Sequence, residues 1–380
     1  ENPTTSNSKT TDGTGLGTYT SNISDLSPNT TYYVRAYATN SVGTAYGKQR
    51  TFTTNAIIPP SVKTGDVTNI STTTADCSGN VTSDGNAAVT ARGVCWSTSE
   101  NPTTSNSKTT DGTGLGTYTS NISDLSPNTT YYVRAYATNS VGTAYGEQKL
   151  FRTYDTFTDS RDGHVYKTLN IDGQVWMVEN LAYLPTASAW QTESSSLPCY
   201  YVYGYNGTSV AEAEAYNHTP SGTSEYFPEG APFNPYTIYG VLYNWPAAMN
   251  GASSSNSNPS GVQGICPDGW HLPSDAEWTT LTTYLGGEEV AGGKMKEAGT
   301  DHWNSPNIEA TNSSGFTALP GGWRSSGGYF YSIGYNGLWW SSTQTSDTNA
   351  WERGLNYFDN SLRRNSGGKY FGFSVRCVRD

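Results

Sequence analysis

Residues 1–47 of this chain recur without a single change as residues 100–146, an offset of 99 positions. A repeat of that period sets the folding unit at about one small domain, since each copy must bury an apolar face of its own. The complete copy runs from about Ile57 to Thr153 and breaks into short alternating segments, among them TTADCSGNV, VTARGVCWS and TTYYVRAYATN, parted by Gly, Asp and Asn turns. Period-two alternation over stretches this short predicts strands, and several at this spacing predict a β-sandwich over residues 55–153. Residues 1–54 lack everything equivalent to 57–99, so they hold only the later strands. Half a sandwich leaves an apolar face and strand edges open. Either earlier residues or a neighbouring chain must complete it, and the identity of the two copies favours a longer parent array with further repeats upstream. Such arrays serve as stalks. The join TNAIIPP at 54–60 is short and stiffened by proline, and TYDTFTDS at 153–160 is equally brief.

Within the complete unit, Leu125-Ser-Pro-Asn-Thr-Thr-Tyr131 resembles the tyrosine corner of fibronectin type III domains, and Tyr131 through Asn139 resembles their sixth strand. The resemblance implies that the Tyr131 hydroxyl bonds back to the upstream backbone and that Trp96 fills the core from the third strand. Cys77 and Cys95 fall on the expected second and third strands, in opposite sheets. They are either a cross-sheet disulfide or two buried free thiols.

The last part of the chain, residues 155–380, opens with RDGHVYKTLNIDGQVWMVENLAYLP, two alternating strands around an Asp172-Gly173 turn. Ser274-Asp-Ala-Glu277 is a capping box, followed by Trp278, Leu281 and Leu285 on one helical face, ending at Gly286-Gly287. Tyr239-Gly-Val-Leu-Tyr-Asn-Trp245 leads into a short helix with Pro246 in its first turn. With CPDGWHLPSDAEW, GGKMKEAG, HWNSPN, GFTALPGGWR, WWSST and GFSVRCVRD, these blocks resemble the FISUMP family, the major paralogous domain of Fibrobacter, over about residues 159–380. The resemblance implies an α+β, C-type-lectin-like fold close to that of sulfatase-modifying factors, behind all-β fibronectin-like sandwiches. Cys266 and Cys377 are expected to form a disulfide closing this region, leaving Cys199 as a buried thiol. The 204–238 connection is longer than the family pattern.

Composition narrows the function. A net charge of −11 offers no basic stripe for a phosphate backbone, so nucleic acid is excluded as a partner. The 28 Tyr and 11 Trp can both pack and face water. No run of 18 apolar residues is present. An exported, extracellular or cell-surface location is expected, with the anchor outside these residues.

No catalytic machinery is expected. The four His, at 164, 218, 271 and 302, have no zinc-site spacing, and no G-x-S-x-G, H-E-x-x-H or P-loop occurs. His271, Asp275 and Glu277 could form an acid–base group, but capping and the helix dipole account for the carboxylates. Sulfatase-modifying relatives use paired cysteines, whereas two of the three here go to the expected disulfide. The Glu-Pro-Asn and Trp-Asn-Asp sequences of calcium-dependent lectins are missing from residues 159–380. No cofactor is expected, calcium being the one metal the acidic loops could hold.

The segment from about Tyr329 to Tyr370 has the Tyr, Trp, Asn, Ser and Arg content of a paratope. Trp339, Trp340 and Trp351 are assigned to the core. Tyr335, Glu352, Asn356, Tyr357, Asp359, Asn360, Arg363, Arg364 and Asn365 are assigned to an exposed ligand-binding set. The arrangement resembles the variable proteins of diversity-generating retroelements, whose lectin-like domains vary in a C-terminal segment. The expected function is an adhesin-type or receptor-type tip that recognises a protein or glycan on another surface. A filament subunit whose neighbours fill the half-sandwich, and an enzyme acting on surface polysaccharide, are the alternatives.

Overall fold

The computed structural model describes residues 2–219 and 232–380. Part of the long 204–238 connection therefore lies outside the described residues. The chain divides into two compact units, Glu1–Leu125 with Thr130–Phe151 and Ser126–Thr129 with Arg152–Asp380.

In the first unit the complete repeat is a two-sheet sandwich. Ser61–Thr68, Ala75–Ser83 and Gly116–Ile122 form one sheet; Ala91–Ser97, Ser107–Lys108, Thr130–Thr138, Thr143–Tyr145 and Lys149–Arg152 form the other. Alternate residues meet between them, so Cys77, Val94, Ile122, Val133 and Phe151 share one buried cluster, with Trp96 packed against its edge. Cys95 follows Val94 and so points to the opposite face. Its thiol lies 3.5 Å from the Pro102 carbonyl and 3.6 Å from that of Arg134. The cross-sheet disulfide is therefore corrected: Cys77 and Cys95 are both buried free thiols. Burial pushes Cys77 up to about 12 and Cys95 to about 11.

The first copy shows what the same residues do without the earlier strands. Thr130–Thr138 is one continuous strand, whereas its identical counterpart splits into Thr31–Val34 and Tyr37–Thr39. These pair only in twos, with Arg50–Thr53 and Thr44–Tyr46 respectively. Gly116–Ile122 has no strand counterpart at 17–23. Ile122 is 1% exposed and its copy Ile23 is 46% exposed. Burial against a partner sheet, rather than local propensity, makes these strands. Local contacts survive, the tyrosine corner among them: the Ser27 N–H donates to the Tyr32 hydroxyl at 2.8 Å.

The second unit joins its beginning to its end. Asp155–Thr158, Val165–Ile171 and Gln174–Met177 form an antiparallel meander, whose last strand pairs with Val378–Arg379, which in turn pairs with Trp270–His271. The Asp172-Gly173 turn has positive φ at both residues, 51° and 85°, as a two-residue hairpin turn of the primed type requires. Cys266 and Cys377 are disulfide-bonded beside this junction. A second sheet runs in the order Phe330–Ile333, Gly321–Arg324, Asn336–Gln344, Asn349–Asn356, Arg363–Gly368. Helices Asp275–Tyr284 and Glu288–Met295 lie beside it; the capping box at Ser274 and Glu277 is formed, and Pro246 sits in the first turn of Trp245–Met249. Trp270, Trp340, Phe373, Met177 and the disulfide share one buried core. Among the described residues no helix is long and apolar enough to cross a membrane.

The disulfide closes a loop of sequence separation 111. In the chain-entropy account that contributes about 4 to 5 kcal/mol. Cys266→Ser should lower the melting temperature of this unit by about 10 °C, read by Trp fluorescence, since ten of the 11 Trp follow residue 152. An unchanged melt under oxidising conditions would remove the bond from the list of stabilising contacts.

Candidate functional site

The site follows from the register of the second sheet. Tyr331 opposes Trp323, Gly322 opposes Gly337 so that Trp323 lies beside Leu338, Leu338 opposes Gly354, and Gly354 opposes Arg363. One row thus crosses all five strands on one face, aromatic at one end and polar at the other. The next row on that face is Trp340, Glu352 and Asn365. Beyond Gly354 the paired residues Asn336 and Asn356 complete it.

At the polar end a cavity of about 80 Å³ is lined by Asn336, Leu338, Gly354, Leu355, Asn356, Arg363 and Asn365. The absence of a side chain at Gly354 makes the space: a Cβ there would stand 3.5 Å from Glu352 Oε2, 3.6 Å from Asn365 Nδ2 and 3.7 Å from Leu338 Cδ2. Asn365 Nδ2 donates to Glu352 Oε1 at 2.8 Å, and Asn356 Nδ2 donates to Asn336 Oδ1 at 2.7 Å. Glu352 Oε2 has no hydrogen-bond partner. Loss of water pushes the Glu352 carboxyl up to about 7, although the Asn365 hydrogen bond and the Arg353 charge oppose the shift.

At the aromatic end Trp323, Ser325, Ser326, Gly327, Tyr329, Tyr331 and Ser332 line an open groove of about 550 Å³. Trp190 meets Tyr329 at 5.8 Å, Tyr329 meets Tyr331 at 6.4 Å, and Trp323 meets Tyr331 and Phe371 at 5.4 Å each. These rings form a continuous strip, with Tyr329 and Tyr331 exposed.

Among the residues expected to bind ligand, Asn356, Arg363 and Asn365 come together at the cavity. Glu352 does not match its expected exposure. It is 3% exposed, because alternation along Asn349–Asn356 turns it under the face beside Trp340. Tyr335 and Tyr357 pack edge to face at 5.1 Å beside the cavity. Asp359 pairs with Arg363, which also lies over the Phe358 ring. Asn360 donates to Glu309. Arg364 is drawn to the opposite face, where it chelates Asp275 through Nε and Nη2 and stacks on Trp351 with 3.5 Å to the ring centroid. Trp351, assigned to the core, is only partly buried under that guanidinium, whereas Trp339 and Trp340 are fully buried.

Two contributors escaped sequence reasoning. The Trp323, Tyr329 and Tyr331 strip was visible only as a general aromatic bias, because strand pairing brings GGWR against GGYFYS. Lys296 is fully buried, donates to the carbonyls of Ile308, Asn356 and Asp359 at 3.0, 3.1 and 2.8 Å, and so pins the loop that carries Asp359. Burial pulls it down to about 8. In the His271 group, His271 spans Glu277 Oε1 and Asp380 Oδ1 at 2.7 Å each, while Asp275 is held by Arg353 and Arg364. Among the described residues no cluster of three or more His, Cys, Asp or Glu could hold a metal ion.

Fold and site together define a disulfide-closed domain of mixed helix and sheet, displaying an aromatic and polar face, behind β-sandwich repeats. The Fibrobacter succinogenes major domain matches residues 169–379, more than half of the chain, and the chain belongs to that family. No curated protein matches. Solved structures similar in part include the sensor domain of the anti-sigma factor RsgI4 in Pseudobacteroides cellulosolvens, 19% identical over 26% of this chain and 97% of that one, with a TM-score of 0.20. Domains FN1–FN3 of chicken CNTN1 are 18% identical over 34% of this chain and 44% of that one, with a TM-score of 0.21. Domains d3–d4 of rat CD45 are 16% identical over 38% and 76%, with a TM-score of 0.22. At these scores the likenesses say nothing of what this chain binds.

A carboxyl whose pKa rises on folding keeps its proton longer in the native state, so stability is full below about 4.5 and falls as pH climbs towards about 7. Glu352→Gln should remove that loss. The variant should match the parent at pH 4 and exceed it by about 3 kcal/mol at pH 8 in urea unfolding followed by Trp fluorescence. Parallel pH profiles for both proteins would contradict a carboxylate buried with one oxygen unpaired.

Proposed function

We propose that the protein is a surface-displayed binding protein: the sandwich repeats act as a stalk, and the family domain, lectin-like in arrangement, carries a recognition face for a protein or glycan ligand. The observation that carries this reading is the single row from Tyr331 through Trp323, Leu338 and Gly354 to Arg363, which unites an exposed aromatic strip with an Asn-rich cavity. Rigid aromatics supply contact area at low entropic cost and short amides supply adaptable hydrogen bonds. Recognition in this reading involves no covalent step and no cofactor. The buried disulfide suits an extracellular location.

A second reading is a filament or surface-assembly subunit. In that case neighbouring chains would supply the missing strands.

The full chain should bind saturably on an array of glycans and surface proteins, with and without calcium. Tyr329→Ala with Tyr331→Ala, both exposed side chains, should cut binding about tenfold or more without moving the melt, as loss of central aromatic contacts does. Undiminished binding by the double variant would place recognition elsewhere, and silence across the array together with concentration-dependent polymerisation would favour the filament reading.

A further inference from the structure

The aromatic end of the row has a definite chemistry. Tyr331 opposes Trp323 on the outermost pair of strands, and the turn between them is closed by the Ser325 N–H donating to the Tyr329 carbonyl at 2.8 Å. Gly328, at a φ of 83°, lets that turn lie against Trp190, since a Cβ there would stand 2.5 Å from the Trp190 carbonyl oxygen. Tyr329 and Tyr331 are nevertheless 58% and 40% exposed, so rings fixed by packing still meet solvent. The rest of the groove is lined by Ser325, Ser326, Gly327 and Ser332, and no charged side chain is among its lining residues. Arg324, next to Trp323 in sequence, is fully buried and donates to the carbonyls of Trp190 and Thr192.

A ligand suited to this groove is therefore uncharged, with apolar faces for the rings and groups that both donate to and accept from serine hydroxyls. A pyranose has both: a C–H face that packs on an aromatic ring by apolar burial and dispersion, and a rim of hydroxyls. A peptide fits less well. It would gain most by adding a strand to Phe330–Ile333 at the sheet edge, but that strand is four residues long and Ser332, at a φ of 61°, breaks its extended run. Ring spacing narrows the choice. The centroids run 5.8 Å from Trp190 to Tyr329, 6.4 Å on to Tyr331 and 5.4 Å on to Trp323, close to the advance of one sugar unit in an extended chain. Successive planes are inclined at 59°, 51° and 36°, so a flat crystalline surface cannot touch them together, whereas a single chain can turn about each glycosidic bond.

We propose that this strip binds a single, uncharged polysaccharide chain of extended, equatorially linked pyranose units, stacked on Tyr329, Tyr331 and Trp323 and hydrogen-bonded by the groove serines. The proposal rests on the reading of this face as a recognition surface and names its ligand class.

The probes are the neutral, β-1,4-linked cellohexaose, mannohexaose and xylohexaose, titrated into the full chain by calorimetry. Maltohexaose serves as a neutral chain that coils, and the β-1,4-linked hexamer of glucuronic acid as a charged chain that extends. Saturable binding of at least one of the three neutral extended hexamers is expected. Maltohexaose and the uronic acid hexamer should bind about tenfold more weakly or not at all, the latter because its carboxylates would lose water against an uncharged lining on a protein of net charge −11. Tyr329→Phe with Tyr331→Phe keeps both rings and should retain binding, whereas Tyr329→Ala with Tyr331→Ala should weaken it about tenfold or more. Equal losses in the two pairs would overturn stacking. Failure of all three neutral extended hexamers, or equal binding of maltohexaose or the uronic acid hexamer, would overturn the ligand class. If a protein on the array binds through these tyrosines while no hexasaccharide does, the glycan assignment falls and the recognition face stands; silence from array and hexasaccharides alike removes both.

Discussion

Asp275 stands in the first turn of a capped helix and holds two arginines from adjacent strands, Arg353 at 2.6 Å and Arg364 through three hydrogen bonds. The helix N-terminus favours the carboxylate, and the two guanidinium groups hold its pKa below the usual range against the cost of burial. Removing that charge would strand two cations, one of them fully buried, a defect of about 3 to 5 kcal/mol. One face of the sheet is thereby committed to the helices, with Trp351 fixed beneath Arg364. The other face is covered around Trp340 by the core and carries the row from Tyr331 to Arg363 at its margin.

The open face is held still from below. Lys296 ties three carbonyls of two neighbouring loops, and Trp339 Nε1 and Arg376 converge on Asn180 Oδ1. Buried polar networks of this kind are strong when fully satisfied and costly when they are not. Glu352, like Asn307 and Arg324, keeps one buried polar atom without a partner. The core around it could have been closed with an apolar residue.

Much of this was legible along the chain. The capping box at Ser274, the Asp172-Gly173 turn and the pairing of Cys266 with Cys377 are local or motif-level features, and the structure has them. The lateral arrangement was not legible. Alternation says that Glu352 and Arg353 point to opposite faces but not that both faces are covered there, the two residues being 3% and 1% exposed. Cys95 was misplaced for the same reason, since Val94 and not Cys95 faces Cys77 across the sandwich. The Tyr331–Trp323–Leu338 row depends on a parallel contact between Gly322 and Gly337, a pairing between separated segments that no local pattern encodes.

The identity of residues 1–47 and 100–146 has a consequence for assembly. The strand Ala91–Ser97 pairs with Thr130–Thr138, yet residues 31–39 offer it the same hydrogen bonds and the same side chains. Nothing chemical separates the right partner from the wrong one. Discrimination falls to chain connectivity and to the order in which segments emerge during synthesis, and the first copy emerges earlier. Every further identical copy would add another equivalent partner, so a stalk lengthened by duplication grows in reach while its strands lose the means of recognising their own domain.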